Sequence, residues 1–365
     1  MRVVIIGGGL AGVTLAAALT ARGVEFDVVE RSEEFAPAGA GIALMPPALR
    51  IVDRLGLGEA VRTASGSLPT LRWLTKSGKL LREVEYAALW QGREVRSIHR
   101  HLLHQVLLST LRPERFVLGD TVREVIELEG QVEVRTESGR ILRGDLAVGA
   151  DGVHSLVRRD HFETERPRFL GTNYWRAALN RDDLVQSYTN TLARGRALGL
   201  APLGRGRTHF LSQTLSIEPI DDPTQGRVDR LRQAFSDFTG VASDALHSLS
   251  SDQELHFGHG YEVTPLKTPW NGHRIVVIGD AAHASAPTLG LWGAMAMEDA
   301  WVLADELARS PISDALPNFC RRRSPRVQWV QERTHAWVER MRAPDGAVDI
   351  VTIHQHDYAP LLNEP

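Results

Sequence analysis

Three short runs in this sequence combine small residues with a carboxylate at spacings suited to a nucleotide. In the first, Gly7, Gly9 and Gly12 stand in the order Gly-x-Gly-x-x-Gly. Glycine there permits a tight turn, close approach of backbone to a pyrophosphate and close helix packing, with the phosphate on the helix N-terminus. Glu30, 23 residues after Gly7, is placed to accept hydrogen bonds from a ribose hydroxyl. The second run is Gly149-Ala150-Asp151-Gly152-Val153-His154-Ser155, which on its own reads as a strand-to-helix turn with Ser155 near a helix cap. The third, Gly279-Asp280-Ala281-Ala282-His283, sets a carboxylate beside residues small enough to admit a ligand, and Asp280 there can hold a sugar or ribitol hydroxyl.

The elements that must position these groups follow from the flanking patterns. Val3 to Ile6 is a β-branched run of strand length, the glycines break it, and Leu10 to Ala21 reads as an alanine-rich helix ended by Arg22 and Gly23. Strand, turn and helix account for the apolar start better than a signal peptide or membrane span. Val24 to Glu30 closes the first βαβ unit, and loop chemistry dominates from Phe35 to Pro47. Leu68 to Ile98 breaks into short strand-like pieces with turns, Ser97 to Leu111 reads as a helix, and Leu146 to Val148 is an apolar strand leading into the second motif. Further strand-like runs lie at Thr172 to Leu179, Leu198 to Leu203 and Thr208 to Leu215, with a helix near Val228 to Phe238. Arg274 to Ile278 is a buried-type parallel strand, Ala294 to Leu307 a helix, and Phe319 to Met341 an arginine-rich amphipathic helix. The expected division is one discontinuous domain from 1–66, 99–165 and 265–345, a second from 67–98 and 166–264, and a tail at 346–365.

Composition narrows the function. With 42 Lys plus Arg against 45 Asp plus Glu, the net charge of −3 gives no global basic field for nucleic acid or anionic lipid, and Arg321-Arg322-Arg323 is most simply a solvated helix face. The single cysteine, Cys320, forms no intramolecular disulfide and no multi-cysteine metal site, so a cytoplasmic setting fits. His101 and His104 share a helix face without His99 or a well-spaced carboxylate, so no metal is expected. The expected partners are small molecules, with no nucleic acid and no membrane span.

Taken together and in order, the three motifs resemble those of the FAD-dependent class A aromatic hydroxylases, the p-hydroxybenzoate hydroxylase-like flavoprotein monooxygenases. That resemblance implies an α/β fold: a Rossmann-like, GR2-type three-layer FAD-binding domain with an inserted α+β substrate domain built on an antiparallel sheet. It implies that Gly7, Gly9, Gly12 and Glu30, with the adjoining Arg31, bind the AMP half of FAD, that Asp280 serves the ribitol or ribose region, and that Asp151 and Gly152 serve both FAD and the nicotinamide cofactor. Arg100 matches an arginine near the flavin phosphate and ribitol, Pro287 the proline beside the flavin C4a region, and Gly290, Leu291, Trp292 and Gly293 the loop that faces the isoalloxazine. The implied reaction uses NADPH or NADH and O2 to hydroxylate or epoxidise a small aromatic or polyketide-like substrate through a C4a-hydroperoxyflavin. A same-fold binding or scaffold protein with weak or no flavin binding is the alternative, and a halogenase lacks its expected Trp-x-Trp-x-Ile-Pro motif here.

One departure stands out. Where the family pattern is Pro-x-x-Gly-Gln-Gly, this chain has Pro287-Thr288-Leu289-Gly290-Leu291-Trp292, so an indole replaces a glycine and either lines the substrate cavity or crowds the isoalloxazine. Pro287 and His209 are the expected catalytic residues. His209 or Tyr86 would supply or relay a base for a phenolic substrate, and Trp175, Arg176, His209 and Trp292 are the expected substrate contacts. Glu298 and Asp299 read as structural.

Overall fold

In the computed structural model, which describes residues 1–35, 40–162, 165–263, 269–342 and 358–365, the β-branched run forms strand Arg2–Ile6 at the centre of a five-stranded parallel sheet. Its neighbours are Leu146–Gly149 and Glu25–Glu30, with Ile275–Val277 and Phe116–Leu118 at the edges. A parallel sheet is covered on both faces and so takes continuous apolar runs, and Val3, Val4 and Ile5 are fully buried. Helix Leu10–Thr20 is apolar all round and is buried from Leu10 to Leu19 against helix Trp292–Arg309.

A seven-stranded sheet carries, in spatial order, His256–Glu262, Arg168–Leu179, Arg207–Leu215, Arg196–Gly204, Tyr188–Ala193, Thr70–Thr75 and Leu80–Glu85. It is antiparallel, as expected, except where Tyr188–Ala193 pairs in parallel with Thr70–Thr75. The chain leaves this sheet after Glu85 and returns only at Arg168, a crossover long enough to allow parallel pairing. Side chains alternate between the two faces. Trp175, Ala177, Leu198, Leu200 and Phe210 face helices Arg227–Ala234 and Val241–His247 and form a separate core with Phe235 and Phe238. Tyr174, Arg176, Leu211 and Gln213 stand on the opposite face, toward the segment from Pro287 to Gly293.

Two further sheets have three strands each. Val122–Leu128, Gln131–Thr136 and Ile141–Gly144 form one, and Gly41–Leu44, Arg96–His99 and Gly66–Ser67 the other. The second corrects two readings: part of the Phe35 to Pro47 connection is strand, and Ser97 to His99 belongs to a strand that hands over to helix Arg100–Leu108. Pairing of Ile42 with Ile98 overrides local propensity in both segments. The arginine-rich helix spans Ile312–Arg342 and contains Pro317 and Pro325, so it starts before Phe319. Interior prolines cost roughly 3 kcal/mol each, and buried ion pairs from Arg323 and Arg326 to the neighbouring helix hold this one in place. The boundary near 264–265 and residues 346–357 of the tail lie outside the described residues. No helix among the described residues is long and apolar enough to cross a membrane.

Candidate flavin and substrate site

The three motifs follow three adjacent strands of the parallel sheet, so they meet at its carboxyl edge, where open α/β sheets bind ligands. Gly7 follows the central strand with a φ of +102°, and a Cβ there would lie 2.5 Å from the Ala150 carbonyl oxygen. A Cβ on Gly12 would lie 2.0 Å from the Gly7 oxygen, whereas one on Gly9 would meet nothing within 4 Å. Helix Leu10–Thr20 begins after Gly9 with no side-chain cap, which leaves its first amides for an anion. Glu30 ends the adjacent strand and accepts from the Gly8 N–H at 2.7 Å and the Ser32 N–H at 3.0 Å. His104 donates from Nε2 to the Gly8 oxygen at 2.8 Å and pins the same turn.

The second and third motifs are fastened to each other. Buried Arg158 donates to the Val153 oxygen at 2.8 Å and the Ala281 oxygen at 2.9 Å. Asp151 accepts from the Leu156 and Val157 amides at 2.8 and 3.3 Å, while its buried Oδ1 has no hydrogen-bond partner. Burial pushes this carboxyl above the ordinary range. A Cβ on Gly279 would reach 2.9 Å from the Ala11 Cβ, so the third turn packs on the first helix. Asp280 and Arg31 are exposed at this edge. Asp299 accepts from the Gly279 N–H at 2.9 Å, from Arg323 Nε at 2.7 Å and from His283 Nε2 at 2.5 Å, a wholly internal role.

A cavity of about 460 Å³ lies between the Pro287–Gly293 loop and the seven-stranded sheet. Arg100, Arg176, His209, Pro287, Gly290, Trp292 and Gly293 all line it. Gly290 has a φ of +66°, and a Cβ on Gly293 would reach 2.6 Å from Ile42 Cδ1. Leu291 is fully buried and is not among the lining residues, because it turns into the core as helix Trp292–Arg309 begins. The Trp292 indole donates a 2.7 Å hydrogen bond to the Ala286 oxygen and forms part of the cavity wall.

Three other expectations are corrected. Trp175 points away from the cavity into the second core, where its Nε1 donates to Asp222 at 2.7 Å; neighbours on a strand face opposite sides, so Arg176 and Trp175 cannot share a site. His209 lines the cavity, but its Nδ1 accepts from the Gly41 N–H at 2.9 Å, and burial, with Arg176 nearby, pushes the ring down to about 3. It is a neutral anchor for strand Gly41–Leu44, not a base. Burial holds the Tyr86 hydroxyl well above its ordinary value, which removes the second base candidate. Sequence reasoning missed the roles of His104, Gly41 and Ile42, which depend on contacts with Gly8, His209 and Gly293 that lie 96, 168 and 251 residues away along the chain.

These residues fit a dinucleotide whose pyrophosphate rests on the glycine turn and whose ring system enters the cavity, since three of the closest approaches tolerate only glycine. The class so defined is a flavin-binding α/β oxidoreductase. The chain belongs to the FAD binding domain family, whose model matches residues 1–333, and it is an FAD-dependent enzyme of the monooxygenase type. It is 32% identical over 359 residues to a 3-amino-4-hydroxybenzoate 2-monooxygenase of Streptomyces platensis, covering 94% of this chain and 89% of that protein. It is 29% identical over 343 residues to the 2-heptyl-3-hydroxy-4(1H)-quinolone synthase of Pseudomonas aeruginosa, covering 93% and 88%. Its fold matches that of Klebsiella pneumoniae HpxO, solved with FAD and uric acid, at a TM-score of 0.88 and 23% identity over 100% of this chain and 95% of that one.

Proposed function

We propose that the chain hydroxylates a small aromatic substrate, with NADH or NADPH and O2 as co-substrates. The balance is substrate C–H, O2, NAD(P)H and a proton giving substrate C–OH, water and NAD(P)+. Bound FAD supplies the electron transfer and oxygen activation. Residues 1–66, 99–165 and 265–345 would hold it and residues 67–98 and 166–264 would supply the substrate wall. Gly7, Gly9 and Gly12 would seat the pyrophosphate, Glu30 a ribose hydroxyl, and Arg100, Asp151 and Asp280 the remaining polar edge. Pro287, Gly290, Trp292 and Gly293 would border the ring.

The observation that carries this reading is the cavity itself: one wall is the glycine-punctuated loop from Pro287, the other a sheet face where Tyr188 and Leu211 stand beside Arg176 and His209. Such a space orients a flat substrate and excludes water. With His209 and Tyr86 held neutral, a phenolic substrate would arrive ionised or lose its proton to solvent. The test is substrate-dependent NAD(P)H oxidation by FAD-loaded protein, with oxygen uptake and hydroxylated product counted together. A protein that stays colourless with excess FAD would return the scaffold alternative to first place.

A further inference from the structure

Among the described residues, Arg176 is a cation without a counter-charge. It makes no hydrogen bond or ion pair with any described residue, and its Nε is shut off from solvent without an acceptor. Arg100, another cation, repels it, and the two face the same cavity, whose lining contains no carboxylate among the described residues. Leaving a largely buried guanidinium unpaired is costly, and a protein that keeps one in a cavity keeps it for an incoming anion. The guanidinium fork matches a carboxylate in two parallel hydrogen bonds.

Position decides which anion. Arg176 stands in strand Arg168–Leu179, between Leu211 on one neighbouring strand and His256 on the other, on the sheet face that forms the substrate wall. None of Gly7, Gly9, Gly12 or Glu30 lines this cavity, so the pyrophosphate seat is elsewhere. The ring-sized space beside Arg176 is bordered by Leu211, Ala201, Tyr188 and Trp292. We propose that Arg176 is the specificity-determining residue of the cavity and that the substrate is an aromatic acid whose carboxylate pairs with it. This rests on the monooxygenase reading for the word substrate, but not for the anion site.

The experiment titrates FAD-loaded protein with paired probes, 4-hydroxybenzoate against 4-hydroxybenzamide and 3-amino-4-hydroxybenzoate against its amide, read by the flavin difference spectrum. The acids are expected to bind at least about tenfold more tightly than the amides. Arg176→Gln should abolish that preference, weakening the acids while leaving the amides and FAD within about twofold, and Arg176→Lys should restore part of it. Because the guanidinium is unpaired, ligand-free Arg176→Gln should melt at or above the parent temperature, which a structural arginine would not do. Equal binding of acid and amide by the parent, or no binding of any acid at millimolar concentration, overturns the proposal without needing the variant. Loss of FAD or NAD(P)H affinity in Arg176→Gln overturns it in favour of a cofactor contact. If the protein takes no FAD, the monooxygenase reading fails, and calorimetry of the same probe pairs on the flavin-free chain still decides the anion site.

Discussion

The indole N–H of Trp292 donates to the Ala286 carbonyl at 2.7 Å, closing the loop that begins at Pro287 and fixing the ring against the cavity wall. Trp292→Phe leaves that buried carbonyl unpaired, at a cost of about 1–3 kcal/mol, visible as a lower melting temperature. FAD affinity should stay within about threefold of the parent, since the indole is already held by Ala286. If Trp292→Gly instead tightened FAD binding tenfold or more, the indole would be crowding the ring and the assigned placement would be wrong.

Gly9 and Gly12 separate ligand binding from folding. A Cβ on Gly9 meets no protein atom within 4 Å, so Gly9→Ala should unfold in urea at a midpoint equivalent to within about 0.5 kcal/mol of the parent. Its FAD affinity should nevertheless fall at least tenfold, because the methyl occupies the approach to the helix amides. Gly12→Ala, 2.0 Å from the Gly7 oxygen, should lose stability as well as flavin. Wild-type FAD affinity in Gly9→Ala would remove the pyrophosphate from this turn.

The Asp299 carboxyl predicts an acid limb of stability. Burial alone would push it up, but His283 and Arg323 overcome that and hold it below the ordinary carboxylate range. A carboxyl depressed in the folded state contributes stability that is present above its unfolded pKa of about 4 and is lost as pH falls through the folded value. Asp299→Asn should cost about 3–5 kcal/mol at pH 7, because Arg323 stays buried with a weakened partner set. The difference from the parent should shrink as pH drops below about 4. Urea midpoints from pH 3 to 7 measure both, and a pH-independent difference would rule out the ionised pair.

His209 gives the opposite test of a group first expected to carry protons. Its ring, at about 3 when folded, binds a proton near 6.5 when unfolded, so its stability contribution is complete above about 6.5 and declines toward pH 3. His209→Gln should flatten the fall in stability between pH 6.5 and 5 while leaving the acid limb of kcat/KM in place. Disappearance of that limb in the variant would make His209 a proton carrier after all.

What could be read from sequence was whatever is decided locally. The glycines at Gly7, Gly12 and Gly279 are demanded by a turn or a contact that no other residue permits, so their spacing carries its meaning without knowledge of the fold. The strand at Val3 and the all-apolar helix from Leu10 were equally plain. Illegible were facts that need a partner from far along the chain. Period-two alternation says that Trp175 and Arg176 face opposite ways but not which of them faces the cavity, and only the helices from Arg227 and Val241 settle it. The occupied Nδ1 of His209 likewise depends on Gly41, a residue inside an apparent loop.

The seven-stranded sheet has a consequence for descent. Neighbouring positions on one strand answer to different selective demands: Trp175 and Leu200 to a closed interior, Arg176 and Ala201 to whatever enters from the other side. Substitutions on the inner face can therefore accumulate without a compensating change on the outer one. A single scaffold inherited this way diversifies in what it accepts long before its frame drifts.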